Sequence, residues 1–264
     1  MGRFIEGELQ QVLRLQITLY ACRERLLAAT DPEALHDLRI ALRKLRSLLR
    51  PLRGVPACDA LQQQAAELGR ISGPLRDLEV LLAHLQGLGM RDAVDLRQSR
   101  LLEGYAALLA DDALPALFAA LDQWPQLWRH AATDAELRGL RKQVKRRLAK
   151  QQRRLGEALA DPAHDRHRLR LLIKRVRYGA EAYPQLSGLS AQPLARLKAA
   201  QSALGDWHDL LQWLQRAEQE ADLAACVDTW RTALQTAEER ADQALLALQE
   251  DFVSTQQAVG LGRP

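Results

Sequence analysis

A histidine and four arginines recur at helical spacing in His36, Arg39, Arg43, Arg46 and Arg50. At 3.6 residues per turn their steps of 3 and 4 gather them within an arc of roughly 80° on one helix. Lys44 adds a further charge, and Asp37 is the only acid between His36 and Arg53. An ordinary amphipathic helix mixes both signs on its wet face, because like charges one turn apart repel. A one-signed stripe becomes favourable when an anion lies along it. Arginine offers phosphate oxygens a planar fork of donors, lysine a compact charge, and histidine an N–H whose charge varies near neutral pH. From His36 to Arg50 the stripe spans roughly 21 Å. One small anion cannot use that length, whereas a linear polyanion can.

The pattern returns 131 positions later in His167, Arg170, Lys174, Arg175 and Arg177, whose offsets from the histidine match those of Arg39, Arg43, Lys44 and Arg46. Leu9, Leu13, Arg14 and Ile17 shift onto Leu140, Val144, Lys145 and Leu148 in the same way. Asp77-Leu78 maps onto Asp209-Leu210 one residue further on. No period of 20 to 50 residues is present, so the pattern is a duplication of two large halves rather than a solenoid.

Two other chemistries compete for these residues. His36-Asp37 and His208-Asp209 each spell the His-Asp pair of all-α metal phosphohydrolases. Against this, a dication would sit beside Arg39 and Arg43, and the two pairs fall at non-equivalent places in the duplication. Nucleic acid is the other polyanion to weigh, yet the five Trp, four Tyr and three Phe are not interleaved with the basic stripes, and no base-stacking platform is evident. A Gly-rich phosphate loop, a Ser-His-Asp arrangement and a metal-ligand cluster are all missing from the sequence. The expectation is a binding protein that is not an enzyme and needs no cofactor or metal.

The residues quoted above resemble the CHAD family, named for a conserved histidine in an α-helical domain. Its histidine followed by basic residues is similar to His36-x-x-Arg39 with Arg43-Lys44-x-Arg46, and again to His167-x-x-Arg170 with Lys174-Arg175-x-Arg177-Tyr178. Arg76-Asp77-Leu78-Glu79-Val80 resembles the family's first-half signature, and Leu197-Lys198, Gln201 and Leu204-Gly205 through Asp209 its second-half one. The chain departs from the pattern at Pro74 and at Trp207-His208, where the family usually has a polar residue such as Asn before the Asp. The resemblance implies an all-α fold of two helical bundles related by a pseudo-twofold axis around a basic groove or pore that binds inorganic polyphosphate. On that reading the ligand-binding residues are Arg14, His36, Arg39, Arg43, Lys44, Arg46, Arg50, Arg76, Arg141, Lys145, His167, Arg170, Lys174, Arg175, Arg177 and Lys198. Asp77 and Asp209 would orient arginines of a neighbouring helix. Polyphosphate-associated proteins are the further partners to expect, and neither nucleic acid nor a membrane.

The elements that must position these residues are helices. Leucines at 35, 38, 42, 45, 49 and 52 form an apolar stripe beside the first basic one, the mark of a core-facing helix. The chain is 47% hydrophobic, mostly Leu and Ala, with few aromatics and no β-branched runs. Its 264 residues suit a single domain, 1–264, of two helical repeats, 1–131 and 132–264. The spacing predicts helices from about residue 4 to Ala29, over 57–71, 75–88, 91–110 and 113–131, and from Glu136 to Ala160. Thr30-Asp31-Pro32 should supply an N-cap with Pro32 at the first helical position of the first motif helix, and Asp161-Pro162 similar punctuation before the second. That second motif helix should end near Tyr183-Pro184, Pro193 should open the next, and Leu210 to about Val253 should form the closing helices. The N-terminus lacks an apolar signal region and no long uncharged apolar run follows, so the expected location is the cytoplasm, in association with polyphosphate granules. Three cysteines, 22, 58 and 226, share no metal spacing and read as reduced structural thiols.

Charge is concentrated rather than spread. Segments 39–53, 138–154 and 166–177 hold 21 of the 37 basic residues, while 210–264 carries four basic and nine acidic ones. A focused positive field at a net charge of only +4 points to one polyanionic ligand rather than a uniformly basic coat. The segment 138–154 is the most basic, yet its residues cannot all face one ligand, and Arg141 and Lys145 are its inward candidates.

Overall fold

The computed structural model describes residues 2–29, 31–161, 163 and 165–260, with side chains through residue 252. Among the described residues it is all-α, with no strand. The α-helices are α1 (Arg3–Ala28), α2 (Ala34–Leu49), α3 (Asp59–Ile71), α4 (Gly73–Gly87), α5 (Arg91–Ala110), α6 (Ala113–Thr133), α7 (Leu140–Ala160), α8 (Arg166–Ala182), the short α9 (Pro184–Ser187), α10 (Ala191–Ala217) and α11 (Val227–Gly260). Short 3-10 turns link α2 to α3 and α10 to α11. The chain divides into two compact units, Met1–Val144 and Lys145–Pro264. The first motif helix, α2, lies in one and the second, α8, in the other.

In the first unit the leucine stripe is the centre of the core. Leu35, Leu38, Leu45, Leu49 and Leu52 are fully buried and Leu42 nearly so. Each such side chain contributes about 1.5 to 3 kcal/mol by leaving water. α2 packs on α1 and α3, α3 on α6 and α4, and α4 on α5. Polar ties fix the outer contacts: Asp122 of α6 accepts from Tyr20 Oη (2.8 Å) and Gln16 Nε2 (2.7 Å) of α1. Trp128 Nε1 donates to the Ile5 carbonyl at 3.0 Å. In the second unit α10 packs on both α8 and α11. Gly179 lets α7 approach α8, since a Cβ there would lie 3.0 Å from Leu148 Cδ2.

Several boundaries differ from the sequence expectation. α2 begins at Ala34, not Pro32, because Asp31 closes a turn instead of capping a helix at once: its Oδ1 accepts the Glu33 N–H at 2.9 Å. Thr30, Pro162 and His164 lie outside the described residues, but Asp161 makes the same turn with the Ala163 N–H at 3.0 Å. The helix expected from Glu136 starts at Leu140, delayed by left-handed backbone at Ala135 (φ 63°) and Gly139 (φ 71°). α10 starts two residues before Pro193, which its first turn tolerates, and runs on to Ala217. Ile17, placed among the apolar anchors, is 70% exposed. The three cysteines are free and buried, and burial pushes the Cys58 thiol up to about 12. No single described helix is long and apolar enough to cross a membrane.

Candidate functional site

Each motif helix sets its leucine or aliphatic face into its own unit and leaves its basic face outward. On α2, Arg43, Lys44 and Arg46 are exposed, and His36, Arg39 and Arg50 are half-buried. Arg39 leans across to the C-terminal end of α3, where its Nη1 donates to Ser72 Oγ (2.8 Å) and the Gly69 carbonyl (3.2 Å). Ser72, fully buried, passes the chain on by donating to the Leu68 carbonyl at 2.6 Å. A guanidinium at a helix C-terminus meets the orphan carbonyls and the negative end of the dipole. Arg46 lies against the same turn: a Cβ on Gly69 would stand 2.6 Å from its Nη1, so a side chain there would make the guanidinium shift.

The electrostatics of this face are those of crowded like charges. Burial lowers the Arg39 pKa from the ordinary arginine value, and the charges of Arg43, Arg76 and Arg46 lower it further. Asp77 of α4 opposes them through its field. Arg46 is exposed as a residue, but its guanidinium is packed against the Gly69 turn, and that desolvation lowers its pKa as well. Asp37, the one acid of the stripe, turns away to Arg25 of α1 (Oδ2 to Nη1, 2.8 Å). Arg76 is anchored from beneath: its Nη1 lies 2.8 Å from Oε2 of Glu79, which is only 8% exposed and also accepts from Tyr105 Oη. Burial, then that hydrogen bond, raises the Tyr105 pKa.

On α8 the pattern is built differently. Asp165 caps the helix, accepting the His167 and Arg168 N–H groups at 3.1 Å each. Leu169, Ile173 and Val176 are buried, while His167 and Arg175 are exposed and Arg170, Lys174 and Arg177 half-buried. Arg177 pairs with Glu181 one turn on (2.9 Å) and covers the Tyr178 ring, whose Oη accepts from Gln201 of α10 at 2.8 Å. Arg170 Nε is buried with no hydrogen-bond partner among the described residues. The His167 ring stacks on that of His208 from α10, centroids 5.6 Å apart.

Among the residues expected from sequence, Arg39, Arg43, Lys44, Arg46 and Arg50 share one face of the first unit with His36, and Arg76 joins Arg39 there electrostatically. His167, Arg170, Lys174, Arg175 and Arg177 share α8. Arg14, Arg141, Lys145 and Lys198 are exposed. Asp77 acts on Arg39 of α2 through its field, whereas Asp209 lies by His208, 3.7 Å from Nδ1, and beside Asp206. Sequence reasoning passed over Gly69, Ser72 and Tyr105, and weighed His208 only as half of a His-Asp pair and as a departure from the family pattern. The Ser72-Gly73-Pro74 break was visible, and small residues there were the available signal. Of the two His-Asp pairs, Asp37 holds Arg25 and His208 stacks on His167.

Fold and faces together define an all-α protein with concentrated basic surfaces on two motif helices. The family model for the CHAD domain matches residues 11–218, and the chain belongs to that family. It is similar to the crystal structure of the CHAD domain from the plant Ricinus communis, with 25% identity and a TM-score of 0.69, over 94% of this chain and 91% of that one. No match is found among curated proteins.

Proposed function

We propose that this chain binds inorganic polyphosphate along the basic faces of α2 and α8 and catalyses no reaction on it. The observation that carries this reading is the crowding of Arg39, Arg43, Arg46 and Arg76, with Arg39 held by a carbonyl and a hydroxyl instead of a carboxylate. Neutral acceptors fix the guanidinium without cancelling its charge, and although Asp77 and the Arg76–Glu79 pair offset part of the repulsion, an anion on this face relieves more of it. The basic residues of α2 run from His36 to Arg50, roughly 21 Å of helix, which favours a linear polymer over orthophosphate. Membership of the CHAD family supports the same ligand.

Nucleic acid fits less well. Trp124, Trp128, Trp207 and Trp230 are buried, so their rings are not offered to bases. The reading places the protein in the cytoplasm with polyphosphate granules and their associated proteins.

Titration with orthophosphate, triphosphate and long-chain polyphosphate, beside DNA and RNA of matched charge, tests the ligand. Affinity should climb steeply with chain length and fall with salt as counterions are released. Equal affinity for triphosphate and long polymer would point to a compact anion site instead. Incubation of long chains with Mg²⁺ or Mn²⁺ should release no phosphate above background. Turnover abolished by Asp37→Ala or Asp209→Ala would restore the phosphohydrolase reading.

A further inference from the structure

Polyphosphate on α2 and α8 leaves the outward side of α7 without a role, although α7 carries eight basic residues and one acid, Glu157. Its core side is set by Leu148 and Leu155, both buried. That side meets α8, since a Cβ on Gly179 would lie 3.0 Å from Leu148 Cδ2 and 3.5 Å from Gln151 Oε1. It also meets α9, where Gln152 Nε2 donates to the Ser187 carbonyl at 2.7 Å. At 3.6 residues per turn Arg146, Lys150, Arg153 and Arg154 fall within an arc of roughly 100°, centred roughly 165° round the helix from Leu148 and Leu155. All four are exposed. Glu157 stands 3.7 Å from Arg153, but both side chains are exposed and the pair is solvent-screened. Arg146, Lys150 and Arg154 have no acid partner among the described residues.

Nothing within the fold uses these charges. Arg146, Lys150 and Arg154 follow one another at i, i+4 spacing, where like charges repel. They precede the last turn of α7, where cations would offset the helix dipole. From Arg146 to Arg154 the stripe spans roughly 12 Å. No apolar side chain falls within its arc, so an amphipathic partner helix or lipid tails would have nothing to bury against, whereas a bare linear polyanion needs only the charges. The stripe is also separate from the basic face of α8. Counted round α8 from Gly179, which meets α7, Arg170, Lys174 and Arg177 lie on the far side, and only Arg175 of that motif lies toward α7.

We propose that the outward stripe of α7 is a second polyphosphate surface, so that one molecule holds two polymer chains and links them. This rests on polyphosphate being the ligand of the α2 and α8 faces. Binding along each surface is a sum of phosphate contacts, so loss of the α7 stripe leaves a chain seated on the other faces and removes the link between chains.

Long-chain polyphosphate, end-labelled with a donor dye in one batch and an acceptor dye in another, tests this with the full chain. Energy transfer between the mixed batches reads linking, and the anisotropy of one batch alone reads binding. Transfer should rise as protein is added and fall again in protein excess, when each polymer is coated separately. The triple variant Arg146→Gln, Lys150→Gln, Arg154→Gln should cut transfer about fivefold or more while weakening binding less than about threefold. A control triple, Arg3→Gln, Arg91→Gln, Arg129→Gln, removes the same charge from exposed positions outside the stripe and should keep transfer within about twofold of the original protein. Circular dichroism confirms that each variant is helical. Transfer absent from the original protein, kept in the α7 variant, or lost equally in both variants overturns the proposal. So does a loss of binding as large as the loss of transfer in the α7 variant, which would make α7 part of one shared site. Each of these leaves polyphosphate binding standing, whereas no binding of the labelled polymer by the original protein overturns both.

Discussion

The two motif helices carry the same charges at the same offsets, yet their surroundings treat those charges differently. At offset 3, Arg39 is held by Ser72 Oγ and the Gly69 carbonyl, while Arg170 has its Nε buried and unpartnered. At offset 10, Arg46 rests on a glycine, while Arg177 is paired with Glu181. At these two offsets the first face spends neutral hydrogen bonds on geometry, although Arg76 beside it is paired with Glu79. The second gives part of its charge to a carboxylate and leaves part of its donor capacity unused. A shared sequence pattern fixes where cations stand on a helix, but the groups around them, on the neighbouring α3 turn for Arg39 and on α8 itself for Arg177, decide how much of each charge remains for a ligand.

The largest expected effect tests whether both faces serve one polymer. Arg43 and Lys174 sit at offset 7, on the polar side of their helices, so Ala at either should leave folding nearly intact. Each removes a charge-assisted contact of about 1.5 to 3 kcal/mol, weakening long-chain binding by about tenfold or more, and the double variant should weaken it further. If one single variant is silent while helical and soluble, the two faces do not contribute in common.

The offset 3 contrast separates stability from binding. Arg39→Ala should destabilise the protein by about 1 to 3 kcal/mol, since it strips Ser72 of a partner and the end of α3 of its cap, as well as weakening binding. Arg170→Ala should cost less than about 0.5 kcal/mol of stability, because it removes a buried donor that has no partner, and should still weaken binding. Thermal unfolding beside a polyphosphate titration reads both, and equal Tm losses would erase the contrast. At offset 10 the effect is smaller and of opposite sign. Glu181→Gln releases Arg177 and should strengthen long-chain binding about twofold, with little change in Tm, because the pair is partly exposed. Unchanged affinity would show that Arg177 stays on the Tyr178 ring whatever its partner.

Much of this was legible in the sequence. Steps of 3 and 4 fixed both the leucine stripe and the basic one beside it, and Leu35 through Leu52 are buried as that spacing requires. Family-resembling motifs supplied the all-α class. The partners were not legible, because they come from other helices at separations no local period records: Ser72 lies 33 residues from Arg39, and Asp242 76 residues from Arg166. Tyr105 could not be foreseen as the residue beneath Arg76, since its link runs through Glu79, 26 residues away. Helix starts slipped where a side chain, not a propensity, set the turn, as at Asp31.

The smallest expected effect concerns that turn before α2, which Asp31 closes as Asp161 does before α8. Beside the backbone bond, which both share, Asp31 holds an ion pair with Arg25 (Nε to Oδ2, 2.7 Å) that gives it a charge to defend. Its pKa is lowered, first by the Glu33 N–H and then by Arg25. A carboxylate depressed in the folded state stabilises above its unfolded value, about 3.9, and that contribution is lost as pH falls through the folded value. Asn at position 31 can still accept the Glu33 N–H but cannot pair with Arg25. Asp31→Asn should therefore lower Tm slightly at neutral pH, less so in high salt because the pair is solvent-screened, and the deficit should close as pH falls through the folded value. A deficit of unchanged size at acid pH would mean that the turn's shape, and not the carboxylate's charge, is what Asp31 supplies.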